Sequence, residues 1–432
     1  MIAIIHWVNR HRKTSWLLVI TTIVISQIIL LSRIRNTWDS SSVPVIPGSV
    51  EPVAASQNFT PPFHTHGRLI RDARNISVKL ASINWYGASD IDFVPGGLDV
   101  RHRDDIAQLI LDLGFNSVRL PYADEIVLRN PLVNTSMIAA NPDLFNGSTP
   151  TALTVYHAVV ESLTTAGLLV IPNNHITTAT WCCGANPCDL SWTNSYWGGA
   201  LFCPVPLTEE GWIRNWEAVM RPLVHNPLVI GADLRNEVRG LWGTMYWADW
   251  ATAAEKASER LLSLNPDWLM IVEGISSAND VSGAKKRPIQ LSIPGRVVYS
   301  AHVYAWSGWG SLAPFYGRTY EEFASEMWKN WGYLLAENIA PVWVGEIGIT
   351  SHEPTEGDRN YWRNLVRFLK ETDASWGYWA LNARKAWGEY EWYGLLEDGW
   401  DREGVRWDYR LDALKTLGLE DTMGRTLVKN VP

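Results

Sequence analysis

The chain has 432 residues, 47% hydrophobic and 19% charged, with 45 acidic side chains against 37 basic ones and a net charge of −8. That balance speaks against a nucleic-acid partner, because phosphate binding needs a basic face. The length exceeds an average domain yet fits one α/β barrel with long loops, which takes up about 250 to 400 residues. The 25 Trp against 9 Phe suit a protein that stacks flat, hydroxyl-bearing ligands, although burial explains any single indole equally well.

In chain order, Arg10, Arg12 and Lys13 come first, followed by an apolar stretch from Ser15 to Ser32 and then Arg33 and Arg35. Eighteen helical residues span about 27 Å, close to a bilayer core of about 30 Å. A cleavable signal has a shorter apolar run and a small-x-small site after it, but Leu30 and Ile34 flank Ser32 here. Residues 1–35 are therefore expected to be a cytosolic tail and transmembrane signal-anchor, with secretion as the alternative if the segment is removed. The Ser-, Pro- and Val-rich residues 36–62 read as a flexible stalk. Residues 63–432 are expected to form the catalytic domain, on the luminal or extracellular side of a single-pass type II protein. Sequons at Asn58, Asn75, Asn134 and Asn146 would accept glycans there.

From residue 78 short apolar runs alternate with amphipathic segments, the pattern of successive βα units. The runs are Val78–Ile83, Phe115–Leu120, Leu168–Pro172, Val229–Leu234, Trp268–Val272, Arg296–Ser300, Pro341–Gly345 and Ser375–Ala380. Helices are expected over Asp104–Leu113, Thr151–Thr165, Trp212–Val224, Trp247–Leu264, Tyr320–Asn338 and Arg359–Glu371. Eight such runs, mostly separated by helix, predict a closed (β/α)8 TIM barrel. Cys182, Cys183, Cys188 and Cys203 share one loop that also carries Trp181, Trp192 and Trp197. Adjacent cysteines do not give zinc-ligand spacing on both arms, so two disulfides are expected, with three pairings open.

Polar residues gather at the carboxyl ends of the runs: Asn84, Arg119, His175, Asn236, Glu237, His302, Tyr304, Glu346 and Trp379. In a parallel barrel those ends form one rim, which is where barrel enzymes carry their chemistry. Glu237 and Glu346 would meet across that rim, and two facing carboxyl groups are what acid-catalysed glycoside cleavage requires. Glu273, after the fifth run, sits on the same rim and would either contact substrate or cap a loop, the structural role being the one expected.

The segments Ile83-Asn84-Trp85, Ser117–Tyr122, Leu234-Arg235-Asn236-Glu237, Tyr299–Tyr304, Lys329–Tyr333 and Asn338–Glu346 resemble, in order, those of glycoside hydrolase family 5, particularly its endo-β-1,4-glucanases. The resemblance covers about residues 66–415. It implies Glu237 as general acid/base and Glu346 as nucleophile, with Arg119 and Tyr304 holding the nucleophile ionised and oriented. It also implies His302 beside the acid/base, Asn236 on the sugar 2-hydroxyl, and His175 with Trp379 under the sugar. Asn84, Trp85 and Trp181 join Trp379 as expected substrate contacts.

Several positions depart from the family pattern. Val238 replaces the usual Pro after the acid/base, and Arg235 replaces a frequent His. The eighth strand reads Trp379-Ala380-Leu381-Asn382, one indole short, and the long loop Ala383–Trp400 holds Trp387, Trp392 and Tyr393. The resemblance implies a retaining hydrolase of β-linked glucan. The alternatives are a mannan- or glycolipid-directed β-glycosidase, and a silent carbohydrate-binding protein that would have lost a glutamate or Arg119. The expected partners are an oligo- or polysaccharide and, through the N-terminal helix, a membrane. A monomer without metal or cofactor is expected.

Overall fold

The computed structural model describes residues 58–184, 186–195, 199–240, 244–307 and 314–423. Three short antiparallel strands come first, β1 (His64–His66), β2 (Leu69–Arg71) and β3 (Ser77–Val78). Eight parallel strands then close into a barrel. They are β4 (Ala81–Asn84), β5 (Ser117–Ala123), β6 (Leu169–Ile176), β7 (Gly231–Asp233), β8 (Leu269–Glu273), β9 (Val297–Val303), β10 (Val342–Ile347) and β11 (Ser375–Tyr378). Neighbours follow the chain, and β11 closes on β4 through Trp376–Ala81 and Tyr378–Ile83. Each strand falls on one of the eight expected runs. Several run further: β6, β9 and β10 extend to include His175, His302 and Glu346.

Alternation along the strands sorts the side chains. Val118, Leu120, Val170, Ala232, Met270, Val272, Ala301, Val303, Val342 and Val344 join the core shared with the surrounding helices. Leu169, Ile171, Ile230, Leu269, Ile271, Val298 and Trp343 form a second cluster inside the barrel. Phe63 and Ile70, from the chain entering the barrel and from β2, pack into that cluster and plug its lower end. Two positions further along the same inward face come Asn173, Glu273 and Ser300, with Arg119 two beyond Ser117 and Asp233 two beyond Gly231. The barrel is thus apolar below and charged above.

The residues 58–62, read as the end of the stalk, are tied to this plug: the Thr60 N–H donates to Asp72 Oδ2 at 3.0 Å and Arg74 donates to the Asn58 carbonyl at 3.0 Å. The expected anchor, residues 1–35, and most of the stalk lie outside the described residues, as does Trp197. Among the described residues no helix is long and apolar enough to cross a membrane.

Helices form where amphipathic segments were expected, with added caps. Thr355 and Asp358 make a reciprocal capping box that starts Glu356–Thr372 ahead of the expected Arg359. The segment expected as one helix from Tyr320 is instead Tyr320–Met327, a π-helical stretch Trp328–Gly332, and Tyr333–Ala336. Trp328 and Trp331 in that stretch both pack against Phe368, at 4.8 and 5.2 Å between ring centroids. Most of the tryptophan excess serves such packing: Trp85, Trp212, Trp216, Trp250, Trp268, Trp331, Trp343 and Trp376 are among the largest fully buried side chains. Of the three possible cysteine pairings the structure has Cys182–Cys183 and Cys188–Cys203.

Candidate active site

Arg119 occupies the centre of the charged upper layer, fully buried. Its Nε donates to Asp233 Oδ2 at 2.7 Å, and one terminal nitrogen donates to Asn84 Oδ1 at 3.0 Å and Glu346 Oε1 at 2.5 Å. The other donates to Asn236 Oδ1 at 2.8 Å and Glu273 Oε1 at 2.9 Å. A planar guanidinium can serve so many acceptors in fixed directions; an ammonium cannot. The surrounding carboxylates hold its proton more tightly still, pushing its pKa up against the opposing effect of burial.

Strict alternation along β10 would send Glu346 outward with Val342 and Val344. It does not, because the register slips by one residue between Val344 and Glu346: Val344 pairs with Ala301, and Glu346 with His302. This bulge turns Glu346 into the barrel, the use bulges commonly have beside active sites. Gly345 is the residue passed over. A Cβ there would lie 2.9 Å from Ser300 Oγ and 3.3 Å from His302 Nε2, so a side chain would press on His302. Tyr304 donates its hydroxyl to Glu346 Oε2 at 2.8 Å. With Arg119 on Oε1, both oxygens accept from fixed donors.

Glu237 lies beyond the end of β7 with φ of +50°, a conformation few non-glycine residues take. Its N–H donates to Glu273 Oε2 at 2.7 Å, and Arg239 donates to its carbonyl at 3.0 Å. Those bonds hold the unusual turn and aim the side chain inward, where it keeps 14% exposure. Burial pushes its pKa up from 4.5 to about 7, against the pull of Arg239 and Arg119. His302 faces it, Nδ1 to Oε1 at 3.1 Å. Burial holds the His302 pKa down at about 4, so the imidazole is neutral in weakly acidic water.

One atom each from Glu237, His302 and Glu346 falls within 4.8 Å of the others. Such a trio is also a conceivable cation site, but Glu346 Oε1 already faces the permanent charge of Arg119 at 2.5 Å. The same closeness is what a pair of cooperating carboxyl groups needs. Retaining hydrolysis wants them about 5–5.5 Å apart, whereas inversion leaves about 6.5–9.5 Å for a water.

A flat aromatic floor continues from this pair. Trp379 stacks on His175 (5.4 Å, 11° between planes) and on Tyr86 (4.9 Å, 3°). His175 Nδ1 lies 2.9 Å from Asn173 Oδ1, and burial keeps its pKa well below the ordinary value. Trp181 stands edge-on to Trp379 and Tyr86 and reaches Trp387 in the loop after β11. On the other side Trp306, 48% exposed, stacks on Tyr304 at 4.6 Å.

The structure thus gathers Arg119, His175, Asn236, Glu237, His302, Tyr304, Glu346, Trp181 and Trp379 around one cleft. Two residues expected to face substrate do not. Trp85 is fully buried with its indole N–H on the Gly96 carbonyl, because its ring fills the space beside Trp400. Asn84 is equally buried, bonding Arg119 and the carbonyls of Gly345 and Tyr378. Both support the cleft from behind. Glu273, expected to cap a loop, instead bridges Arg119 and the Glu237 N–H. Burial, then the nearby Asp233, pushes its pKa well above the carboxylate range. Asp233 had no expected role, although an acid inside an apolar run was a visible signal. Tyr86 and Trp306 were also missed. Arg235 is locked among Asp124, Asn174, Thr177 and Asp189 at 2.8 to 3.0 Å, well behind the rim.

A family model described as Cellulase (glycosyl hydrolase family 5) matches residues 77–385, which is most of the barrel. The chain belongs to glycosyl hydrolase family 5. It is accordingly a glycosyl hydrolase. It is 29% identical over 353 residues to an endoglucanase of Paenibacillus polymyxa, covering 78% of this chain and 83% of that one. It is 27% identical over 380 residues to the major extracellular endoglucanase of Xanthomonas campestris pv. campestris, covering 84% and 72%. The solved catalytic domain of the major Xanthomonas campestris pv. campestris endoglucanase superposes with a TM-score of 0.67 at 25% identity, over 82% of this family 5 chain and 99% of that domain.

Proposed function

We propose that this enzyme hydrolyses β-linked glucan chains by double displacement with net retention, using Glu346 as nucleophile and Glu237 as acid and then base. One observation carries the reading: the two carboxyl groups approach within 4.8 Å, yet their surroundings differ. Glu346 has both oxygens on donors, one of them a permanent cation. Glu237 is buried enough to keep its proton up to about pH 7. Chemically identical side chains in such unlike settings take opposite roles.

In the first step a Glu346 oxygen attacks the anomeric carbon. The glycosidic C–O bond breaks, its electron pair goes to the departing oxygen, and Glu237 supplies the proton. In the second step Glu237, now ionised, takes a proton from water, the hydroxide oxygen bonds the anomeric carbon, and Glu346 departs. Arg119 and Tyr304 steady the charge on Glu346 at both ends of the cycle. Asn236, held beside the nucleophile by Arg119, takes the sugar 2-hydroxyl in this reading, and the Trp379–His175 floor supports the ring by stacking.

Three features support a β-glucan as substrate: the exposed indoles Trp181, Trp306 and Trp387 along the cleft, the open barrel rim, and relatives described as endoglucanases. Product analysis on cello-oligosaccharides, with mannan and glucosylceramide as competing arms, tests the proposal. Glu346→Gln should keep binding and lose turnover by several powers of ten. Undiminished hydrolysis by that variant would refute the nucleophile.

We further propose that the catalytic domain works outside the cytosol, anchored through residues 1–35 or released if that segment is removed, and as a monomer. The two disulfides and the four sequons support the location outside the cytosol, and the apolar run from Ser15 to Ser32 supports the anchor. Alkaline carbonate extraction of membranes, with and without an endoglycosidase, tests it. A soluble, unglycosylated cytosolic product is the contrary result.

A further inference from the structure

The two disulfides of the loop after β6 have unlike consequences. Cys188–Cys203 joins residues 15 apart and so restrains a stretch of unfolded chain. Cys182–Cys183 joins neighbours and closes no such stretch, so it removes almost nothing from the freedom of the unfolded chain. Its effect must lie in the folded cleft.

That bridge touches Asn236. Asn236 Nδ2 donates to both sulfurs, at 3.4 Å to Cys182 and 3.2 Å to Cys183, while Asn236 Oδ1 accepts from Arg119. Arg119 can only donate, which fixes Oδ1 on its side and leaves Nδ2 facing the bridge. The residues on either side of the cysteines are anchored too. Trp181 packs edge-on against Tyr86 and Trp379, and the Gly184 carbonyl accepts from Arg239 Nε and a terminal Arg239 nitrogen at 3.2 and 2.8 Å. Arg239 also donates to the Glu237 carbonyl. Residues 181–184 thus form a hook from the aromatic floor to the turn that carries Glu237.

We infer, on the hydrolase reading above, that the Cys182–Cys183 bridge is a positioning element of the sugar site. Its paired sulfurs set the Asn236 amide toward the sugar 2-hydroxyl, and it is not a stability staple. Two free thiols or two alanines in its place leave Nδ2 without a fixed acceptor, and the amide turns.

A double-mutant cycle tests this in the full-length enzyme. Cys182→Ala/Cys183→Ala should lower kcat/KM on cello-oligosaccharides roughly ten- to hundredfold, since small misplacements of positioning groups cost that much. Its Tm should stay within a few degrees of the parent's, whereas Cys188→Ala/Cys203→Ala should lower Tm clearly. In an Asn236→Ala background the same pair of cysteine replacements should cost less than about threefold, because the group they act through is gone. An equal loss in both backgrounds, or unaltered turnover without the bridge, overturns the inference. Parent enzyme inert on every β-glucan oligomer overturns the functional reading instead. A crystal structure of the alanine pair then decides separately: Asn236 Nδ2 displaced supports the inference, and an unmoved amide contradicts it. If the alanine pair does not fold, the Cys188→Ala/Cys203→Ala enzyme, whose one remaining bridge is Cys182–Cys183, is compared before and after phosphine reduction in the same cycle.

Discussion

Glu237 can act as an acid near neutrality only because burial raises its pKa from 4.5 to about 7. At pH 7 about half of the molecules then carry the proton, against roughly one in 300 for a carboxyl left at 4.5. The kcat/KM profile on cello-oligosaccharides should therefore fall on the alkaline side with an apparent pKa near 7. Glu237→Gln should lose several orders of magnitude on these substrates and far less on an aryl glycoside whose leaving group needs no proton. Its profile should have no alkaline limb. Stability should respond through the same group with a definite sign. The unfolded chain ionises Glu237 from about pH 4.5 and the folded one from about 7, so this carboxyl lowers stability as pH rises through that window. The full effect is about 3 kcal/mol. Glu237→Gln should melt above the parent at pH 8 and level with it at pH 4. An alkaline limb that survives in Glu237→Gln, or one centred near pH 5, refutes the assignment.

Other substitutions test the surrounding geometry. Tyr304→Phe removes a hydrogen bond to a charged group, worth about 1.5–3 kcal/mol, so steady-state kinetics should show kcat down roughly ten- to hundredfold with KM little changed. Arg119→Lys keeps the charge but cannot reach Asp233, Asn84, Glu346, Asn236 and Glu273 together. Thermal melts and kinetics should report about 3–5 kcal/mol of destabilisation and at least a hundredfold loss of kcat/KM. Trp379→Ala removes the floor, and KM for oligosaccharides should rise about tenfold by kinetics while the pH profile stays unchanged.

Much of this was legible in the sequence, for an identifiable reason. In a parallel barrel the strand ends share one rim, so Glu237, His302 and Glu346 could be grouped from the runs they follow without any knowledge of distances. What escaped depended on side-chain direction and register. Glu346 faces the cleft through a one-residue slip at Gly345, and strict alternation would have turned it away. Trp85 and Asn84 stand at the rim by position yet point into packed surroundings, a distinction set by Trp400 and Arg119 from distant parts of the chain. Glu273 looked like a loop cap because its partners, Arg119 and the Glu237 N–H, lie far off in sequence. The cysteine pairing was open for the same reason: nothing in spacing chooses among three possibilities for neighbouring thiols.

The most direct test of the double displacement is to trap its covalent intermediate. A 2-deoxy-2-fluoro β-glucosyl or cellobiosyl substrate with a good leaving group should inactivate the enzyme, and peptide mass spectrometry should find the sugar esterified to Glu346. A label on Glu237 or any other residue, or a first-released product with the inverted anomeric configuration, contradicts the account.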